Sequence, residues 1–205
     1  AMLWVGWFGF NAGSALAADG AAGMALFVTH ISAATGALSW IILEWIKFGK
    51  PSGLGAITGM VAGLATITPA SGSVGPAGGL LVGLAGGVIC YFATTYLKQT
   101  VKIDDSLDVF PVHGVGGMVG TFLAGILVSG NLGIFSGNGL AESMTVGSQV
   151  GVQIIGILAT AIYTAIMTFI LLKVVGALTS GIRVSDEQEQ QGLDITDHDE
   201  KGYSM

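Results

Sequence analysis

Residues 146–172, VGSQVGVQIIGILATAIYTAIMTFILL, run for twenty-seven positions without an Asp, Glu, Lys or Arg. As a helix this stretch rises about 40 Å, more than the roughly 30 Å hydrocarbon core of a bilayer. A barrel strand would alternate apolar and polar residues over about ten positions, and here the apolar run is continuous. The rest of the chain follows suit. Of 205 residues only 7 are basic and 13 acidic, so 10% are charged, where a soluble domain carries roughly 25%. Hydrophobic residues make up 52% and glycine 34 positions, and the mean hydropathy is +0.76. Too few charges remain to cover a water-facing surface. The glycines lack a three-residue period, which excludes collagen, and the apolar content excludes disorder. A net charge of −6 with few bases argues against nucleic-acid binding. The single cysteine, Cys90, excludes a disulfide framework and a multi-cysteine metal cluster. The expected fold is all-α: a polytopic membrane helical bundle.

Charges, prolines and Gly-Asn clusters divide the chain into six apolar blocks, at roughly 1–18, 21–46, 53–70, 76–97, 109–129 and 146–172. Every base lies on one side of that scheme. Lys47 and Lys50 occupy the second break, Lys98 and Lys102 the fourth, and Lys173, Arg183 and Lys201 follow the last block. The positive-inside rule therefore predicts a multi-pass cell-membrane protein with a cytoplasmic C-terminus. Residues 1–182 form the expected transmembrane domain and the charged residues 183–205 a cytoplasmic tail. Ser185 followed by Gln188 predicts a capping box opening a short helix, with Gly192 as its stop. The first block starts inside apolar sequence with no flanking charge, so the chain is expected to be the C-terminal part of a longer protein.

Small residues let helices approach closely in lipid. Gly55-Gly59-Gly63, Gly79-Gly83-Gly87 and Gly116-Gly120 each repeat at i+4, which predicts tight packing of blocks three, four and five. Cys90 and His30 read as packing residues, and Glu44 as a local ion pair with Lys47 at i+3. Asp108 is placed to stabilise the start of block five through the helix dipole.

Two constellations could carry chemistry. Phe10 and Ser14, four apart, share a helix face, and a ring beside a hydroxyl suits a small cation; an interfacial aromatic belt is the plainer alternative. His113 lies eleven residues beyond Lys102, about 16 Å deep and near the midplane. An ionisable side chain there usually faces a cavity or a partner, and an uncharged imidazole can donate and accept at once; a histidine satisfied by a neighbouring helix is the alternative. A rhomboid-like serine protease, with Ser71 in Pro69-Ala70-Ser71-Gly72, is a rival from another class. Ser71 lies nineteen residues beyond Ser52, about 28 Å from the inner face, so it misses His113 by about 12 Å in depth. No catalytic residue, metal site or cofactor is expected.

Along essentially its whole length the chain resembles the ammonium transporter (Amt/Mep/Rh) family, on the Amt side. The stretches that carry the resemblance are WFGFNAGS at Trp7–Ser14, EWIKFGKPSGLGAITGMVAGLATITPASG from Glu44, DVFPVHGVGG at Asp108–Gly117 and RVSDEQEQQGLD from Arg183. The resemblance implies spans six to eleven of an eleven-span fold, a homotrimer, and conduction of ammonium or ammonia. Carried over position by position, Phe10 matches a gate phenylalanine and Ser14 a recruitment-site serine. Trp7 matches a tryptophan near the pore, His113 the second of two pore histidines, and Val109 an apolar residue at the cytoplasmic exit. The matching partners of the first half fall outside this chain. The resemblance also implies a tail that contributes to gating and docks a PII-type regulatory protein. There Gly192-Leu193-Asp194 fits the family pattern, whereas Asp199 in His198-Asp199-Glu200 replaces a family glycine. An ammonium sensor on the same scaffold is the alternative function.

Overall fold

The computed structural model describes residues 1–179 and 181–202, so the last three residues of the expected tail lie outside the described residues. Among the described residues the fold is helical, with one isolated antiparallel bridge, Val74 to Gly137. The chain divides into two compact units, 1–157 and the remainder from Leu158.

Local chemistry sets the helix boundaries of the first unit. Helix α1 (Met2–Gly13) ends in two tight turns, Ala15 N–H to the Ala12 carbonyl and Leu16 N–H to that of Gly13. Asp19 then opens α2 (Gly20–Phe48), its Oδ1 accepting from the N–H groups of Ala21 and Ala22 at 3.0 and 3.1 Å. Gly49, at φ +74°, closes α2 through its N–H to the Trp45 carbonyl at 2.9 Å. Ser52 caps α3 (Gly53–Ile67), and Pro76 occupies the first turn of α4 (Pro76–Tyr96), where its missing N–H costs nothing. Helix α4 runs on into a π-helical turn, Leu97–Val101. A second π-helical segment, Phe110–Val115, leads into α5 (Gly116–Leu127). The following loop folds back on the α3–α4 turn, Asn138 donating to the Gly72 carbonyl at 2.8 Å and its backbone N–H to that of Ser73 at 3.0 Å.

Helix α6 (Val146–Leu178) starts in this unit and continues into the second. It outruns the apolar block by a turn and a half, because a charge is costly in lipid but not in a helix. Lys173 lies within it, its Nζ 5.5 Å from the Phe169 ring. Four helical stretches, Gly20–Phe48, Pro76–Val101, Phe110–Leu127 and Val146–Leu178, are long and apolar enough to cross a membrane; Gly53–Ile67 is a shorter apolar helix.

The seam of the first unit is made by glycines on both sides. A Cβ on Gly36 would fall 2.5 Å from the Gly59 carbonyl oxygen and 2.9 Å from Gly63 Cα, and one on Gly87 would fall 2.6 Å from the Gly36 oxygen. The expectation that blocks three, four and five pack on one another is thus modified: α2 is the hub, and Gly36 is the residue the i+4 repeats do not reveal. Hydroxyls close the seam. Ser32 donates to the Gly63 carbonyl at 2.8 Å, and Thr66 back-bonds to Ala62 at 2.8 Å. Leu64, Val82 and Cys90 are fully buried, so Cys90 is a packing residue, as read.

One expectation for a charged group is corrected. Glu44 pairs not with Lys47 but with the start of α3, accepting from Ser52 N–H at 2.6 Å, Ser52 Oγ at 3.1 Å and Trp40 Nε1 at 3.2 Å. Backbone donors at a helix start satisfy a carboxylate more completely than a flexible lysine, and Lys47 instead lies over the rings of Phe48 and Tyr91. Asp108 stands at the start of block five, its carbonyl accepting from Val112 N–H at 3.0 Å. The side-chain cap comes from Asp105, accepting from the N–H groups of Val109 and Phe110 at 2.9 and 2.8 Å, while the Asp108 carboxylate pairs with Lys98 at 2.7 Å.

In the second unit, Ser185 and Gln188 form the expected capping box of α7 (Asp186–Gln191), which ends at Gly192. Helix α8 (Leu193–Thr196) follows. Asp199 adopts a left-handed φ of +50°, and Glu200 N–H closes a turn on the Asp194 carbonyl at 2.8 Å.

Candidate functional site

Three of the sequence-predicted residues come together. Trp7, Phe10 and Ser14 recur at helical spacing along one face of α1, and the π-helical segment brings His113 to that face. The Trp7 and His113 rings stack with centroids 6.0 Å apart and planes 19° from parallel. Phe10 meets Trp7 edge-on at 6.2 Å and 88°. Such pairs contribute about 0.5–1.5 kcal/mol each beyond their area. Trp7 is therefore the joint of the group, touching both the ring above and the imidazole.

Ser14 follows one turn on. Its hydroxyl donates to the Phe10 carbonyl at 2.7 Å, which occupies its only proton and leaves the oxygen free to accept. Phe10 is 61% exposed and borders an open concavity of about 420 Å³ with Met2, Leu3, Gly6 and Trp7. Val109 stands four positions before His113, exposed, its N–H held by Asp105.

His113 is itself exposed on this face of the chain. Its backbone is fixed from behind. Pro111 and Val112 are buried, the Cys90 thiol lies 3.9 Å from the Val112 carbonyl, and a Cβ on Gly116 would crowd Thr66 Oγ1 at 3.0 Å and Cys90 Sγ at 3.3 Å. A π-type turn widens the helix, a departure common at functional sites. Pro111 sits in the first turn of this segment, where its missing N–H leaves no bond unmade. His30, read as a packing residue, lies between Trp4 at 5.2 Å and Phe8 at 6.1 Å on the neighbouring face of α1. Ser71, the rival nucleophile, donates to the Thr68 carbonyl at 3.3 Å and is buried in the α3–α4 turn.

Chemically, the arrangement is a row of π faces ending in an imidazole, with a hydroxyl acceptor one turn away. It can hold a small cation by ring and hydroxyl, and exchange hydrogen bonds with a neutral species at the imidazole. A family model described as Ammonium Transporter Family matches residues 1–203. The chain belongs to the ammonium transporter family. Among its ammonium transporter relatives, a putative one of Methanothermobacter thermautotrophicus is 44% identical over 100% of this chain and 50% of its own length. That of Bacillus subtilis is 41% identical over 99% of the chain and 50% of its own. The chain thus spans about half the length of the curated relatives it matches. A solved structure named Sensor Amt Protein matches with a TM-score of 0.84 at 29% identity, over 95% of this chain and 46% of that one. Mep2 of Saccharomyces cerevisiae matches at 0.79 and 34%, over 90% and 42%. Membership of the ammonium transporter family, together with several long apolar helices, makes this a multi-pass membrane protein. The named relatives are transporters rather than enzymes.

Proposed function

We propose that this chain supplies one half of a pore conducting ammonium or ammonia, with His113 in its lining. The observation that carries the reading is the continuous group Phe10, Trp7 and His113, with Ser14 one turn away, left open on one face of a chain half as long as its relatives. Phe10 and Ser14 recruit the cation, Trp7 walls the passage, His113 receives the substrate at mid-depth, and Val109 borders the exit. The remaining wall comes from sequence outside this chain.

Selectivity follows from chemistry rather than size. Ammonium and potassium are of similar size, but only ammonium donates hydrogen bonds and can lose a proton. An apolar passage opposes any intact ion, while a neutral imidazole hydrogen-bonds ammonia. The same reading makes the six apolar blocks spans six to eleven of an eleven-span fold, with residues 1–182 in the cell membrane and 183–205 a cytoplasmic tail. It carries with it a homotrimer and a PII-type protein docking at the cytoplasmic face.

A second reading, an ammonium sensor signalling through the tail, is favoured by the likeness to the structure named Sensor Amt Protein. Methylammonium uptake by the full-length protein in reconstituted vesicles separates the two. Saturable uptake competed by ammonium is expected for the pore. Retained binding without uptake would give the sensor instead.

A further inference from the structure

The geometry points to Thr68 as the positioning residue that sets the Trp7 ring and, through it, the face presented to substrate beside His113. Thr68 stands at the end of α3, immediately before Pro69, and half-buried. Its hydroxyl has one proton, donated to the Leu64 carbonyl at 2.8 Å. Its oxygen can then only accept, and it accepts from Trp7 Nε1 at 2.7 Å, a side-chain bond across 61 positions of sequence. The indole has a single donor, so one bond fixes which edge of the ring is turned inward. The π face is thereby left to His113 on one side, with Phe10 meeting it edge-on. A second consequence concerns specificity. With its N–H bound to Thr68, Trp7 offers a passing molecule no donor, so a hydrogen-bonding substrate is handed to the imidazole rather than held at the indole. Thr68 escapes a reading of the sequence because Thr-Pro there looks like an ordinary helix break.

This inference rests on the pore reading, and its test separates the two. The full-length protein would be compared with Thr68→Val, which keeps the shape but loses the acceptor, and Thr68→Ser, which keeps the acceptor. Thr68→Val is expected to lower the maximal transport rate about tenfold, the equivalent of one lost hydrogen bond, with half-saturation changed less than about twofold. Thr68→Ser should recover most of that rate. Exchange of the Trp7 indole proton, followed by NMR with labelled indole nitrogen, should be slow in the parent and in Thr68→Ser, and fast in Thr68→Val. Unchanged exchange, an unchanged rate, or a Thr68→Ser as slow as Thr68→Val would each overturn the assignment. If Thr68→Val does not assemble, Trp7→Phe removes the donor instead, and Thr68→Ala, which lowers the rate when made alone, should cost no further rate when added to it; a further loss would overturn the assignment too. A parent that moves no substrate sinks the pore reading, whereas the exchange measurement still decides whether Thr68 fixes Trp7.

Discussion

Where α2 meets α3 and α4, backbones touch: Gly36, Gly59, Gly63 and Gly87 leave no room for a Cβ, and Ser32 and Thr66 have their hydroxyls bonded. On the face where α1 meets the π-helical segment, Phe10 is 61% and Val109 52% exposed, and an ionisable ring sits open beside a tryptophan. Both regions belong to the same compact unit. A chain that excludes voids so thoroughly in one place has not left large rings uncovered in another for lack of packing capacity. The closed seam is architecture; on the open face Thr68 holds the Trp7 ring, while Asp105 and Cys90 hold the backbone of Val109, Phe110 and Val112 from behind.

The comparison breaks first if the seam tolerates bulk. Gly63→Val drives a branched side chain into the Ser32 and Ala33 backbone, and overpacking of this kind costs about 3 kcal/mol or more when backbone must move. The expected result is loss of assembled protein on size-exclusion chromatography in detergent. Normal yield and melting temperature would mean the helices are not in backbone contact. Glu44 sharpens the same point at the edge of the seam. Glu44→Ala removes the acceptor of the Ser52 N–H and is expected to cost about 1–2 kcal/mol, whereas Lys47→Ala should cost less than about 0.5 kcal/mol. Equal losses in thermal melts would restore the ion pair that the sequence suggests.

Much of this was legible from residues alone, because hydropathy and turn chemistry act locally. Asp19, Pro51, Pro76 and Gly192 mark helix ends close to where they fall, and the Ser185–Gln188 box forms as read. Phe10 and Ser14 lie one helical turn apart, as their spacing predicts, the Ser14 hydroxyl reaching the Phe10 carbonyl. What was not legible depends on which helices meet. Gly36 lies outside any i+4 glycine repeat, yet it is the contact point of three helices. That Asp105 supplies the side-chain cap of block five depends on the turn before it, in which Asp108 takes a left-handed φ of +56° and pairs with Lys98. That Trp7 would join Phe10 to His113 required a tertiary contact between segments about a hundred positions apart.

On the open face the largest effect is expected at His113. Its side chain is exposed and touches Trp7 alone among the aromatic contacts of the described residues, so removing it should leave folding intact. His113→Ala in the full-length protein is expected to change transport rate or ammonium-over-potassium preference by about tenfold or more, the scale of losing a positioned hydrogen-bonding group. Assembly should be unaltered. If uptake and preference were both unchanged, the imidazole would be a packing residue and the face would lose its claim to be a passage.

Smaller effects belong to the outer end of the row. Phe10 and Ser14 offer a cation a ring face and a hydroxyl oxygen whose proton is already committed to the Phe10 carbonyl. A cation–π contact at a partly exposed site is worth about 0.5–1 kcal/mol, so Phe10→Ala should raise the half-saturating ammonium concentration about two- to fivefold. Ser14→Ala, losing one acceptor, should do so by a similar factor. The maximal rate should fall less than in His113→Ala, because recruitment precedes passage. The pair of mutants also separates recruitment from an aromatic belt: a belt residue anchors depth and leaves concentration dependence alone. Uptake curves superimposable on the parent in both variants would assign Phe10 to the belt and confine the functional face to Trp7 and His113.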